Sequence, residues 1–231
     1  MSRGNNFDPI LIEGKEFNIN HLKDLQLALS ILFDNGDERI ITVHMRPTNH
    51  LFSRAVVEED WSERTTLEGK GVWLKSYVYH DGDYQKIKNT PPALKENRIF
   101  CKEKWSDSFI FPRFVQLLKT KPAQTTVLAN AGDSKTCLSG IVEIENRPDD
   151  VYLVFFTLHK LNSKEVNMLI ESAYCVSKTE DDKAKKLLSN KGNKKPFIVV
   201  LKNVLEGRLP MESKKKSKRT KKMRKNNKKT P

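Results

Sequence analysis

A period-two pattern in residues 25–33 constrains the fold of this chain more than any other feature. Five large apolar residues stand there at every second position: Leu25, Leu27, Leu29, Ile31 and Phe33. The positions between them hold Gln26, Ala28, Ser30 and Leu32. Period two is the side-chain period of a β-strand. A turn sequence, Asp34-Asn35-Gly36-Asp37, and a second strand pattern over residues 40–45 follow, so the segment predicts a β-hairpin. A helix over residues 22–33 is the alternative, because Leu, Gln and Ala also favour helices.

Strand patterns return in the second half of the chain. Residues 125–129, 137–145, 152–158 and 165–173 are rich in Val, Ile, Leu, Phe and Thr and are joined by short connections. They predict an antiparallel meander, with a last strand at 197–201. Short helices are expected after Ser108, a candidate N-cap followed by Pro112, and at 181–188. A short strand is expected around 72–79. The predicted fold class is α+β: an antiparallel sheet of hairpin plus meander with one or two short helices.

The basic residues are concentrated at the C-terminus. The net charge is +13, from 42 Lys and Arg against 29 Asp and Glu, and residues 213–231 hold 11 of the basic residues and no acidic one. The other 212 residues are therefore nearly neutral, and the charge predicts polyanion attachment by the tail alone. Residues 8–206 are expected to form a single α+β domain and residues 207–231 a disordered Lys/Arg-rich tail. The candidate nucleic-acid-binding residues of the tail are Lys214, Lys215, Lys216, Lys218, Arg219, Lys221, Lys222, Arg224 and Lys225.

Several classes of protein lose support from the sequence. It has no apolar run of transmembrane length, no apolar signal-peptide core at the N-terminus, and no P-loop, GxGxxG, GxSxG or HExxH motif. Its three cysteines are widely spaced, which predicts neither a disulfide scaffold nor a zinc ribbon and favours the reducing cytoplasm. No cofactor is expected.

The densest group of chemically active side chains lies in residues 44–54, at the exit of the second predicted strand. It contains His44, Arg46, His50 and Arg54 within eleven positions. Histidine exchanges protons near neutral pH, and arginine fits phosphate. A metal-independent ribonuclease needs such a set, because a base, an acid and a cation together drive attack of the 2′-hydroxyl on phosphorus.

Two other interpretations of the same group stay open. In the first, the histidines and arginines are simply solvated or ion-paired with Glu58, Glu59 or Asp60, since density without a fixed motif has low specificity. The two histidines also have a spacing that suits a metal pair, but no third ligand is visible, so no metal site is predicted.

Two further segments carry candidate residues. Residues 98–108 mix basic and aromatic side chains before a predicted helix, which makes Arg98 and Lys104 candidate nucleic-acid contacts. Cys101 lies there next to Lys102 and close to Lys104, which would lower the pKa of its thiol, but no Cys–His pair is visible. Ser172 and Tyr174 end an apolar strand pattern and could bind a phosphate oxygen or a base edge, or Tyr174 could lie at the rim of the core.

With these segments identified, the chain resembles a group of little-characterised bacterial proteins, some labelled stationary phase growth adaptation protein or heat shock protein C. The likeness is carried by residues 44–54 and 98–112, by Ser172-Ala173-Tyr174, and by Lys195-Pro196-Phe197. It covers most of residues 8–206.

A more distant likeness is to the barnase–EndoU–colicin–RelE ribonuclease superfamily, whose toxins often end a core strand in a Ser/Thr-Ala-Tyr-Pro-like sequence. Here Cys175 stands where that pattern has Pro. The likeness implies metal-independent RNA cleavage with His44 or His50 as acid or base, Arg46 or Arg54 on the phosphate, and Ser172 or Tyr174 as the hydroxyl.

The leading hypothesis is an RNA-directed intracellular protein, a metal-independent ribonuclease of the bacterial toxin kind. The alternatives are a nucleic-acid-binding module without catalysis, and a protein-interaction or regulatory domain with a polybasic tail. The expected partners are RNA or another polyanion, and a protein inhibitor or regulator.

Overall fold

A computed structural model describes residues 8–23, 25–77, 95–129, 137–189 and 194–212. The elements in chain order are β1 (Ile10–Ile12), β2 (Lys15–Phe17), β3 (Gln26–Leu32), β4 (Glu38–Pro47), β5 (Ser53–Ala55), α1 (Glu58–Ser62), α2 (Arg64–Gly69), β6 (Trp73–Tyr77), β7 (Lys95–Phe100), α3 (Lys102–Ser108), α4 (Phe111–Thr120), β8 (Thr126–Ala129), β9 (Leu138–Glu143), β10 (Asp150–Lys160), β11 (Glu165–Ser177), α5 (Asp182–Ser189), β12 (Lys194–Pro196) and α6 (Phe197–Leu205).

The predicted N-terminal hairpin is confirmed. β3 and β4 pair antiparallel, and β3 alternates strictly between exposed and buried residues. Gly36 takes a φ of +82°, and the amide of Phe33 donates to the carbonyl oxygen of Asp37 at 2.8 Å, which closes the turn. The alternative helix over residues 22–33 is therefore wrong, because the strand buries every second side chain.

The main sheet has seven strands in the order β12-β8-β9-β10-β11-β4-β3. The meander β8 to β11 is antiparallel, as predicted, and the hairpin joins it through a parallel pair of β4 with β11. The described part of the molecule is thus α+β with a mainly antiparallel sheet, as expected. In this parallel pair, Glu165 lies directly beside Thr42, and the pairing continues to Ile170 beside Pro47.

One face of the sheet carries the larger hydrophobic core. α4 and α6 pack on it, with Phe111, Phe114, Phe197 and Leu201 all fully buried. On the opposite face, a smaller cluster joins Ala184 and Leu187 of α5 to β10. The helix predicted at 181–188 is confirmed by α5.

A separate three-stranded sheet has the order β5-β7-β6. β6 confirms the strand expected around 72–79 in its described part. Two short helices, α1 and α2, precede it.

Two local predictions were wrong. The segment 197–201 is the first half of helix α6, and only Lys194–Pro196 forms the last strand. α6 buries Phe197, Val200, Leu201 and Val204, a helical spacing that a five-residue apolar run does not reveal. Ser108 is the last residue of α3 and caps nothing, since Ile110 precedes the first turn of α4. Pro112 does lie in that first turn, as predicted.

Within the described ranges, no helix combines the length and apolar character needed to cross a membrane.

Candidate functional site

His44 and Arg46 lie on the face of the sheet opposite the larger core. β4 turns Val43 and Met45 into that core, and neighbouring side chains on a strand point to opposite faces. His44 and Arg46 are therefore partly exposed on the second face. This face is open to solvent at its edge, where Leu32 is 58% and Ile40 is 68% exposed.

A carboxylate from the neighbouring strand faces His44. Nε2 of His44 lies 3.2 Å from Oε1 of Glu165, and the two side chains are 26% and 42% exposed. The side-chain amide of Asn162 donates to the other oxygen of Glu165 at 2.5 Å. These hydrogen bonds, from Asn162 first and from His44 second, hold the pKa of Glu165 below its usual value. The parallel β4–β11 pair creates this His–Glu contact between residues 121 positions apart.

A β-bulge at Glu171 changes which side chains of β11 share this face. Phe156 pairs with Ile170 and Phe155 pairs with Ser172, so Glu171 is the extra residue. Before the bulge, Glu165, Asn167 and Leu169 lie on the face of His44. After it, Ser172 and Tyr174 do.

The structure nevertheless separates Tyr174 from His44. His44 pairs with Asn167, seven residues before Tyr174 on the same strand, which corresponds to roughly 20 Å. The two side chains therefore cannot contact one phosphate. Ser172 lies between them, closer to Arg46, which pairs with Leu169.

Tyr174 instead belongs to a group with His50 and Lys104. Nζ of Lys104 lies 5.1 Å from the centre of the Tyr174 ring and donates to the carbonyl oxygen of His50 at 3.3 Å. Burial raises the pKa of Tyr174. These three predicted residues come together beside β11, past the end of β4.

Arg54 and Arg98 join neither group. Arg54 makes a two-pronged ion pair with Asp60, at 2.7 and 2.9 Å, and its pKa is raised by that hydrogen bond. Arg98 is only 5% exposed and donates to Oγ and the carbonyl oxygen of Ser53. The register sets Arg54 and Arg98 on opposite faces of the β5–β7 ribbon, because Arg98 pairs with Ala55 and not with Arg54. The ion pair of Arg54 with Asp60 is one of the pairings that the sequence offered as an alternative to a phosphate contact.

The basic residues of the tail lie outside the described residues. The predicted contacts from Lys214 to Lys225 therefore stay predictions.

Three residues of the second face were not predicted from the sequence: Glu165, Asn167 and His159. His159 pairs with Asn167 across β10 and β11, and Asn167 pairs with His44 across β11 and β4. His44, Asn167 and His159 therefore form one row across the sheet. His159 was visible as a polar residue near the end of a predicted strand. Its relation to His44 depends on the parallel pair, which no local pattern reveals.

The cysteines do not form a nucleophilic site. Burial raises the pKa of Cys101 and outweighs the lowering effect of a backbone hydrogen bond from Lys104, so the pKa is not lowered overall as the sequence suggested. Burial, followed by Asp107, raises the pKa of Cys175 to about 12. Arg147 donates to Sγ of Cys175 at 3.0 Å and to Asp107 at 3.2 Å, which makes this group a structural contact between α3 and β11.

Among the described residues, no three His, Cys, Asp or Glu side chains are arranged to hold a metal ion. His44 and His50 lie in different groups and make no metal pair. A cleft of about 310 Å³ lies at the β3–β4 turn and the end of α6, lined by Phe33, Asp34, Asn35, Arg39, Leu205 and Glu206, and it contains none of the candidate residues.

The comparisons with known proteins give a family. No curated protein and no solved structure matches the chain. The model of the YjaZ family matches residues 9–205, which is most of the sequence and includes all of the described helices and strands. This match agrees with the expected resemblance to a little-characterised bacterial family. The chain belongs to the YjaZ family.

Proposed function

We propose that this protein is RNA-directed and cleaves RNA without a metal ion, at the face of the sheet that carries His44. The proposal is carried by one observation: an imidazole paired with a carboxylate on a partly exposed face, with Arg46 two residues along the same strand. A carboxylate beside a histidine fixes the orientation of the ring, which a general base requires. Arg46 supplies a cation for the phosphate.

The residues that support this proposal are fewer than the sequence suggested. His44 and Arg46 lie on the proposed face, and Ser172 lies further along it. His50, Tyr174 and Lys104 form their own group, which suits contact with a neighbouring stretch of RNA. Arg54 and Arg98 are engaged with Asp60 and Ser53 and take no part.

Cleavage of a labelled single-stranded oligoribonucleotide by the full chain, with EDTA present throughout, tests the proposal. Products ending in a 2′,3′-cyclic phosphate are expected. The His44→Ala variant should lose activity by about 100-fold or more, the usual contribution of a general base.

Two arginine variants separate a specific role of Arg46 in cleavage from a general effect of removing positive charge. Arg46→Ala should reduce cleavage, whereas Arg64→Ala, which also removes a partly exposed arginine but from α2, should not. RNA that stays intact, or a His44→Ala variant as active as the parent, would contradict catalysis. Binding without cleavage would then favour a nucleic-acid-binding module instead.

A further inference from the structure

A row of three side chains crosses the sheet through the proposed site. His44, Asn167 and His159 are direct neighbours on three adjacent strands and share the second face. With strands about 4.8 Å apart, the Cα atoms of the two histidines lie about 10 Å from each other. Because each imidazole extends from its backbone, both rings can reach a group that lies above Asn167.

Asn167 has an unsatisfied polar atom at the centre of this row. The residue is 4% exposed, and within the described part of the chain no donor reaches its side-chain oxygen Oδ1. Buried acceptors of this kind are nearly always paired. His159 pairs directly with Asn167 across the antiparallel strands, where Cβ atoms lie about 5 Å apart, so a rotation of its side chain can bring a ring N–H to this oxygen.

We propose that His159 is the second catalytic residue of RNA cleavage, acting together with His44, and that Asn167 is a positioning residue that accepts a hydrogen bond from His159 when RNA is bound. This inference rests on the proposed function. It replaces His50, which lies in the Lys104–Tyr174 group, as the partner of His44.

The reaction follows from the two imidazoles. His44 donates from Nε2 to Glu165, so Nδ1 accepts the proton of the ribose 2′-hydroxyl as the 2′-oxygen bonds to phosphorus. The bond from phosphorus to the 5′-oxygen breaks, and protonated His159 gives its proton to that oxygen. The products are a 2′,3′-cyclic phosphate and a 5′-hydroxyl, and no oxidant or other co-reactant is needed. The attacking and leaving oxygens lie on opposite sides of phosphorus, which suits an acid and a base on opposite sides of Asn167.

The pH dependence of cleavage tests the two roles. The parent chain should show a bell-shaped profile of kcat against pH. His159→Ala should lower kcat at least 100-fold with KM within about 3-fold and lose the alkaline limb, because the acid must be protonated. His44→Ala should lose the acidic limb. Ser30→Ala, on the same face but on β3, is the control and should match the parent.

Two substitutions of Asn167 test its role as a positioning residue. Asn167→Leu removes the acceptor and should lower kcat about 10-fold while shifting the alkaline limb. Asn167→Asp keeps an oxygen at that position and should restore most of the loss. Equal losses in both variants, with an unshifted profile, would assign Asn167 to packing only and overturn its positioning role.

A second measurement keeps this inference separate from the proposed function. Inorganic phosphate is titrated into the full chain, and the imidazole resonances are followed by NMR. Paired shifts at His44 and His159, with His50 unmoved, support the row as the phosphate site. If RNA is not cut, the proposed function and the catalytic role of His159 both fail, and the row is a phosphate-binding site only. Cleavage that survives His159→Ala but is lost in His50→Ala overturns the inference and leaves the proposed function standing. Phosphate shifts absent from both His44 and His159 also overturn it.

Discussion

Glu165 lies 3.2 Å from Nε2 of His44 although the two residues are joined by neither a turn nor a hairpin. The parallel pairing of β4 with β11 sets Glu165 beside Thr42, two residues before His44 and on the same face of the sheet. The contact is therefore a product of the sheet topology, and it makes the ionisation of Glu165 a sensitive measure of the site.

Removing the hydrogen-bond donors around Glu165 should raise its pKa. Asn162→Ala should raise it more than His44→Ala, because the hydrogen bond from Asn162 contributes most to the lowered pKa. A lowered carboxyl pKa favours folding above the ordinary carboxyl pKa, and that contribution is lost as the pH falls. NMR titration of the Glu165 side-chain carbon measures both variants. A pKa of Glu165 that neither substitution moves would contradict the described geometry.

The thiol of Cys175 should resist alkylation. With a pKa of about 12, its thiolate fraction at pH 8.5 is roughly a thousand times smaller than that of an ordinary cysteine. The rate of reaction with iodoacetamide is measured in a Cys101→Ser, Cys137→Ser background and should rise to the ordinary value in urea. Asp107→Asn should increase the rate in the folded protein, because Asp107 disfavours the thiolate.

The raised pKa of Cys175 also affects the stability of the folded protein. A thiol whose pKa is raised in the folded state contributes fully below the ordinary thiol pKa, and this contribution is lost as the pH rises toward about 12. Cys175→Ser should therefore flatten the loss of stability between pH 9 and 11. Rapid alkylation of native Cys175 at pH 8.5 would refute both expectations.

The ring of Phe114 leaves no room for a side chain at position 140. A Cβ at position 140 would overlap Cε2 of Phe114 and lie 2.8 Å from its Cζ, and this ring is fully buried in the larger core. Gly140→Ala should lower the free energy of unfolding by about 1–3 kcal/mol, the usual cost of overpacking. Urea denaturation measures the change.

Gly69→Ala is the matched control. Gly69 ends α2, and a Cβ there meets nothing within 4 Å. This variant should leave stability unchanged or raise it slightly, since alanine favours a helix. Equal effects at both positions would show that Gly140 is not pressed against Phe114.

The parts of the fold that the sequence predicted are those governed by local patterns. The alternation through Leu27, Leu29 and Ile31 specified β3, because one exposed face and one buried face give period two. The run from Phe197 has the pattern of a strand when taken alone, because its helical spacing becomes visible only when it extends to Val204 and Leu205. Length, not composition, separates a short apolar strand from a buried helix.

The candidate site was predictable only in its β4 half. His44 and Arg46 stand out by chemistry, and their shared face follows from the strand period. Their neighbours depend on two non-local features, the parallel β4–β11 pair and the bulge at Glu171. Pairing partners and bulges are set by the packing of the whole sheet, so Asn167 and His159 could not be assigned from the sequence.

The buried Arg98 should matter for stability and not for RNA. Arg98→Lys loses the fork that donates to Oγ and the carbonyl oxygen of Ser53, and it should cost about 1–3 kcal/mol of unfolding free energy. Arg54→Lys, which alters a partly exposed ion pair with Asp60, should cost about 0–1 kcal/mol. Thermal and urea unfolding compare the two. A stable Arg98→Lys variant with weakened RNA binding would return Arg98 to the nucleic-acid interface.

The tail should govern the salt dependence of RNA binding. Residues 213–231 carry 11 basic side chains and no acidic one, so their contacts with phosphates release counterions. For single-stranded RNA, each neutralised phosphate contributes about 0.7 to the slope of log affinity against log salt, which gives a maximum of about 8 from the tail. Deletion of 213–231 should remove most of that slope and weaken binding most at low salt.

Cleavage of a short oligoribonucleotide at saturating concentration distinguishes the tail from the site on the sheet. The truncated chain should keep its kcat, because His44, Glu165 and Arg46 lie outside the deleted segment, and its KM should rise. A chain of matched length with the 11 basic residues changed to Ser or Gln separates charge from length. A truncated chain with an unchanged salt slope would show that the basic residues of the tail do not contact RNA, and the affinity would then have to come from the described residues.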